Sequence, residues 1–200
     1  MPAQQQALPL AVTLTDTFQF MTLLKRFWND FTNLSRFQFG CKYVFPIVAL
    51  FMTWGVLANL YQTHLDKHQL LQNKGEVNNI AVVFEQGTKS SYKYYPLKIS
   101  LAGFPNDFRL RDNFKDWFQE LQDEIKPGDT IEIYTRNKFQ STIGWGQQND
   151  IYQIEKNNKI LLPMTVIGDY NRSQSIVILV MAILFWIPFI LYKLKIIQPK

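Results

Sequence analysis

Two runs of the chain carry no Asp, Glu, Lys or Arg: Tyr43 to Leu65, containing "VFPIVALFMTWGVLANLY", and Ser173 to Tyr192, containing "SIVILVMAILFWIPFILY". Each is long enough to cross a hydrocarbon core of roughly 30 Å as a helix. A helix in lipid satisfies its own backbone hydrogen bonds, so the β-branched and aromatic second run reads as helix despite its strand-like composition. Two such runs exceed what a domain of this size can cover as buried core helices. The expected spans are residues 43–63 and 174–193. Pro46 falls near the start of the first, where a missing N–H costs little, and Pro188 should kink the second. Tyr43, Tyr61 and Tyr192 lie where an interfacial aromatic belt belongs.

Charge supports the same layout. The net charge is +5, yet residues 62 to 174 hold fourteen Lys and Arg against fourteen Asp and Glu. The excess sits at the two ends, which argues against a basic nucleic-acid-binding face in the middle and for membrane topology. Arg172 precedes the second run, while Lys193, Lys195 and Lys200 follow it. That bias places the C-terminus in the cytoplasm, and with two spans the N-terminus too. The middle then lies in the periplasm or outside the cell, with the protein in the inner (plasma) membrane. No cleavable signal peptide is recognised, because no Lys or Arg precedes "ALPLAVTL". The lone cysteine, Cys41, excludes an intrachain disulfide and reads as a small, partly buried apolar residue.

Before the first span, residues 1–15 read as a loose tail and residues 16–40 as an amphipathic helix, with Asp16 and Gln19 as a capping box. Phe18, Trp28 and Phe31 fall on its apolar side, with Lys25, Arg26 and Arg36 opposite. Such a helix suits the cytoplasmic headgroup layer, or a groove on another membrane subunit. Residues 194–200 form a short basic cytoplasmic tail.

Residues 64–172 read as an extracytoplasmic α+β domain. The first span is expected to continue as helix through "QTHLDKHQLLQNK" and to stop at Gly75. Strand patterns follow at 80–84, 97–101, 107–111, 131–134 and 151–155, with an "NNK" hairpin turn before "KILLPM". Phe114, Trp117, Phe118, Leu121 and Ile125 form one apolar helical stripe, which Asp112 or Asn113 should cap and Pro127 and Gly128 end. The fold class is therefore two transmembrane helices plus an inserted α+β domain, a mostly antiparallel sheet or small partly open barrel with one packed helix. Through "KGEV" (74–77), "YYPLKISLAG" (94–103) and "IKPGDTIEIY" (125–134) the chain resembles small bacterial two-span membrane proteins of unknown function with a β-rich extracytoplasmic domain between the spans. The resemblance implies architecture, and no activity or site residues.

Chemistry-bearing patterns are sparse. His64 and His68 stand at i and i+4, close enough on one helix to share a metal, but no third ligand is identifiable. Asp116, Glu120 and Asp123 lie opposite the aromatic stripe, which makes them a solvated face or a docking surface for a basic partner. Trp145, within "GWG", is either a ligand-contacting residue or part of a glycine-flexed loop. No cofactor, catalytic residue or nucleophile motif is read. The function expected is a non-enzymatic membrane protein whose outer domain binds a membrane or periplasmic protein: an accessory subunit, assembly factor or immunity-type inhibitor. The alternative is a sensor whose β-rich domain binds a small ligand and signals through the spans. The lipid bilayer is a further partner, and self-association is left open.

Overall fold

A computed structural model describes the backbone of residues 10–86, 93–144 and 146–196, and their side chains except for 10–18 and 20. The chain divides into two units, Met1–Phe51 with Met181–Lys200, and Met52–Val180.

In the first unit α1 (Leu10–Asn33) begins ahead of Asp16 and stops at Leu34. Ser35 caps α2 (Arg36–Phe39): its Oγ accepts from Gln38 N, and Gln38 Oε1 accepts from Ser35 N, each at 3.3 Å. This reciprocal pair satisfies two donors that a helix start leaves open. A π-helical turn (Gly40–Val44) leads into α3 (Phe45–Thr63). The reversal between α1 and α3 is fixed twice. Lys42 Nζ and Tyr43 Oη both donate to the Asp30 carboxylate, which holds it below the usual carboxylate range. Around that contact Phe27, Phe31, Phe39 and Tyr43 pack with ring centroids 5.2–5.3 Å apart. The three edge-to-face pairs, Phe27–Phe39, Phe27–Tyr43 and Phe31–Phe39, each add about 0.5–1.5 kcal/mol beyond area burial.

In the second unit α3 ends at Thr63, and Leu65 and Leu70 turn into the core around a 3-10 turn (Lys67–Gln69). The helix expected to run on to Gly75 is not there. Asp66 and Gln69 form their own capping box, and β1 (Leu71–Val82) starts four residues before that glycine. Gly75 sits inside β1, where a Cβ would stand 3.2 Å from both Ala102 O and Leu101 Cβ. The glycine thus serves a close strand approach rather than a helix end.

A two-stranded ribbon, β2 (Glu85–Gln86) and β3 (Lys93–Tyr94), leads to β4 (Leu97–Leu101) and β5 (Phe108–Leu110). After it come a 3-10 turn (Asp112–Trp117) and α4 (Phe118–Glu124). Then follow β6 (Thr130–Thr135), α5 (Lys138–Ile143), β7 (Ile151–Lys156), β8 (Lys159–Leu162) and α6 (Met164–Lys193). The six-stranded sheet runs β5-β4-β1-β6-β7-β8, with every neighbouring pair antiparallel. β1 belongs to both halves: residues 71–76 pair with β6 and, past a bulge at Val77/Asn79, residues 79–82 pair with β4. A bulge bends the strand that carries it. β5 meets the start of β7 in one parallel bridge, Arg109 to Asp150. The sheet is not closed into a barrel.

One face of the sheet buries Val77, Ile99, Leu101, Ile131, Ile133 and Ile154 with Phe114, Phe118, Leu121 and Ile125. Full burial of each such side chain is worth roughly 1.5–3 kcal/mol. The aromatic stripe is therefore placed as expected, but its helix is not continuous. Phe114 leaves helical geometry (φ −112°, ψ 25°), and Arg111, not Asp112 or Asn113, occupies the cap without a side-chain bond. Asn157 and Asn158, with φ of 52° and 64°, form the turn between β7 and β8.

Candidate functional site

The site with the most concentrated polar chemistry is built around Arg136, the residue after β6, whose side chain is 1% exposed. Taking a guanidinium out of water costs several kcal/mol, and the cost must be offset by partners placed close at hand. Four are present. Nη1 donates to Gln62 Oε1 at 3.0 Å, Nη2 donates to Asp150 Oδ2 at 3.3 Å and to Gln147 O at 3.5 Å, and the guanidinium lies 5.3 Å from the centre of the Tyr152 ring.

Each partner is held by local structure. Gln62 lies in the last turn of α3, 4% exposed, and its Oε1 also accepts from Tyr152 Oη at 2.7 Å. Asp150 closes a turn in which its Oδ2 accepts from Gln147 N at 3.2 Å. Its Oδ1 takes two bonds from Arg109, Nε at 3.0 Å and Nη2 at 2.8 Å. Arg111 Nε stands 3.8 Å from Oδ2, so one buried carboxylate faces three guanidinium groups. Glu85 adds a second carboxylate, 3.7 Å from Arg109 and 2.7 Å from Lys98. Burial pushes the Tyr152 phenol up, with the charge of Arg136 opposing. Asn171, from α6, borders the same phenol and is 4% exposed. Arg136 Nε, Gln62 Nε2 and Asn171 Nδ2 are buried without a hydrogen-bond partner.

Glycine makes the room. Asn137 caps α5 by a reciprocal pair with Gln140, each bond 2.9 Å, and the helix ends at Gly144. A Cβ at Gly144 would lie 1.5 Å from Gln62 Nε2, and one at Gly146 would lie 1.4 Å from Arg136 Nη2. Both are far inside van der Waals contact. The backbone at Gly144 therefore lies directly against the Gln62 side chain, and that at Gly146 against the Arg136 side chain. A guanidinium keeps its charge, so Arg136 and Asp150 form an ionic lock. It joins the last turn of α3 to the end of β6 and the start of β7, with Asn171 of α6 alongside.

The residues singled out from sequence lie elsewhere. His64 follows the end of α3, its Nδ1 2.8 Å from Leu60 O, and His68 lies in the 3-10 turn beyond Asp66. The single helix that would have paired them is absent. Among the described residues no group of three or more His, Cys, Asp or Glu is placed to hold a metal. Asp116, Glu120 and Asp123 are exposed on the outer side of the 3-10 turn and α4, with Asp123 accepting from Gln119 at 3.1 Å. Trp145 and the side chain of Phe18 lie outside the described residues. Trp28 and Phe31 are exposed and stacked at 5.9 Å. Tyr61 is exposed, Tyr192 is half-buried, and Tyr43 is engaged with Asp30. Cys41 is buried.

Sequence reasoning missed Arg136, Asp150, Gln62, Tyr152 and Asn171. The available signal was the pair of glycines flanking one residue, a few positions after an arginine that ends a strand. Comparison with protein-family models, with curated proteins and with solved structures gives no match.

Proposed function

We propose that the chain is a non-enzymatic membrane protein, held in the inner membrane by α3 and α6, whose α+β unit binds a protein partner as an accessory subunit, assembly factor or immunity-type inhibitor. Support for the membrane part comes from exposure. Two helices are long and apolar enough to cross a bilayer, and only 22% of the most apolar stretch of the first and 11% of that of the second is buried. A core helix of a soluble protein would be mostly buried. Leu50, Phe51, Leu57, Ile176, Val180 and Leu184 are all exposed, a surface suited to lipid and ill suited to water. The Lys bias after α6 favours cytoplasmic termini and a periplasmic or extracellular α+β unit.

The observation that carries partner binding is the Phe84 and Tyr95 pair. Both rings are half exposed and pack at 5.5 Å beside the β2–β3 ribbon, while the apolar residues of β4 to β7 are buried. An exposed aromatic pair on a well-packed domain is the usual anchor of a protein interface. The exposed carboxylates Asp116, Glu120 and Asp123 offer a surface for a basic partner. A photoreactive phenylalanine at position 95 in native membranes should give one discrete heavier species. Absence of any crosslink from positions 84, 95 and 120, or crosslinks only to further copies of this chain, counts against the reading.

A second reading, a ligand sensor, is favoured by Gln62 of α3 and Asn171 of α6 both bordering Tyr152, because a displacement of the sheet at Tyr152 would act on both helices. A small molecule that raises the melting temperature of the detergent-solubilised chain would favour it.

A further inference from the structure

We propose that α5 is a membrane-contacting foot of the folded unit, with Phe139 and Ile143 entering the lipid headgroup layer beside the point where α3 leaves the bilayer; this rests on the membrane reading above. Phe139 is 66% exposed, the highest value among the described large apolar side chains of its unit. Ile143, one turn later and half-buried, shares its side of the helix, while Gln140 and Ser141 face inward. In water that exposure has no compensation. In the headgroup layer it does.

The location of α5 selects lipid as the occupant. Its first turn follows Arg136, which donates to Gln62 at 3.0 Å. Within the helix Gln140 Nε2 donates to Gln69 O at 3.0 Å, on the segment leaving α3. Its end, Gly144, is packed directly on the Gln62 side chain. Six residues of helix span only about 9 Å. The exposed side of α5 is thereby kept within a turn or two of Gln62, the next-to-last residue of α3, where Leu57, Leu60 and Tyr61 already expose apolar surface. Lys138, exposed beside Phe139, supplies a cation for lipid phosphate. An apolar side chain with an adjacent lysine, continuous with a lipid-facing helix end, is the composition of an interfacial contact.

The test uses the full chain, with Cys41→Ser, reconstituted in phosphatidylcholine vesicles containing a minor share of phosphatidylglycerol. Single cysteines replace Phe139, Leu57 or Glu120 and carry an environment-sensitive fluorophore. Thr142→Cys serves as a second reporter on α5 in case the label at 139 disturbs folding. The probes are lipids carrying a nitroxide at the headgroup or along the acyl chain, and aqueous iodide. Expected at 139 are a blue-shifted emission, quenching by headgroup nitroxide and loss of the iodide quenching seen at 120, with acyl-chain quenching at 57. Iodide access at 139 equal to that at 120, with position 57 still quenched by acyl nitroxide, overturns the foot and leaves the membrane reading standing. Shielding at 139 from iodide and from both lipid probes means protein contact and also overturns it. Failure of lipid quenching at 57 removes the membrane reading, and the foot with it.

Discussion

Arg136 and Gln62, separated by 74 positions in the chain, meet at 3.0 Å between Nη1 and Oε1, with both side chains buried. One hydrogen bond thereby ties the end of the β6 strand to the last turn of α3. Asp150 also binds Arg136 and Tyr152 also binds Gln62, so a change at either side chain is felt by its neighbour.

Replacing Arg136 with Met should destabilise the α+β unit by about 3–5 kcal/mol, because it strips Asp150 of one buried partner and leaves Gln62 facing an apolar chain. Arg136→Lys should recover little, since a point charge cannot reach Gln62, Gln147 and Asp150 together. Thermal unfolding of the detergent-solubilised chain measures both.

Gly146→Ala should cost about 1–3 kcal/mol, as its Cβ would overlap Arg136 Nη2. The double variant with Arg136→Met should be less destabilised than the sum of the two, because the overlapped atom is gone. A double-mutant cycle in denaturant reads the coupling.

Acid should weaken the unit through Asp129 and Glu132. Lys156 at 2.6 Å, with the Lys126 N–H at 2.7 Å, holds Asp129 below its usual value, and Lys74 at 2.9 Å does the same for Glu132. A carboxylate whose folded pKa is depressed stabilises the fold above its ordinary value of about 4 and ceases to do so as pH falls through the lower folded value. Melting temperature should therefore drop on acidification below about pH 4, and Asp129→Asn should flatten that limb. A parallel acid limb in the two proteins would contradict the assignment.

Asn158→Val should lower stability by about 1–2 kcal/mol, since φ of 64° is strained for a β-branched residue, whereas Asn158→Gly should be nearly neutral. The denaturant midpoint distinguishes them.

A fluorescent reporter that matures only in the cytoplasm, fused after Lys200, should be bright. A dark fusion alongside activity of a periplasm-dependent reporter at the same position would invert the proposed orientation.

The apolar runs, the strands at 97–101, 130–135 and 151–156, the "NNK" turn and the α4 stripe were legible because each rests on local periodicity or turn chemistry. The helix through His64 and His68 was misread for the same reason: good helix formers dominate the segment, and only the burial of Leu65 and Leu70 in a distant core ends the helix at Thr63. The Arg136 lock was not legible. Its members come from a helix end, a strand end, a turn and a second helix, and no local pattern records that a glutamine next to an apolar run will meet an arginine far along the chain. Even the glycines at 144 and 146 read only as a loop, since what they accommodate lies in other elements.

That accommodation leaves a trace for finding distant kin. Wherever a descendant of this architecture keeps arginine directly after β6, the position ten residues downstream is barred to every side chain, and the position eight downstream is barred as long as α3 ends in its glutamine; where a smaller residue replaces the arginine, the first bar lifts and the second stays. Strand sequences can drift under such a rule, and the linked arginine and glycine positions would still betray common ancestry.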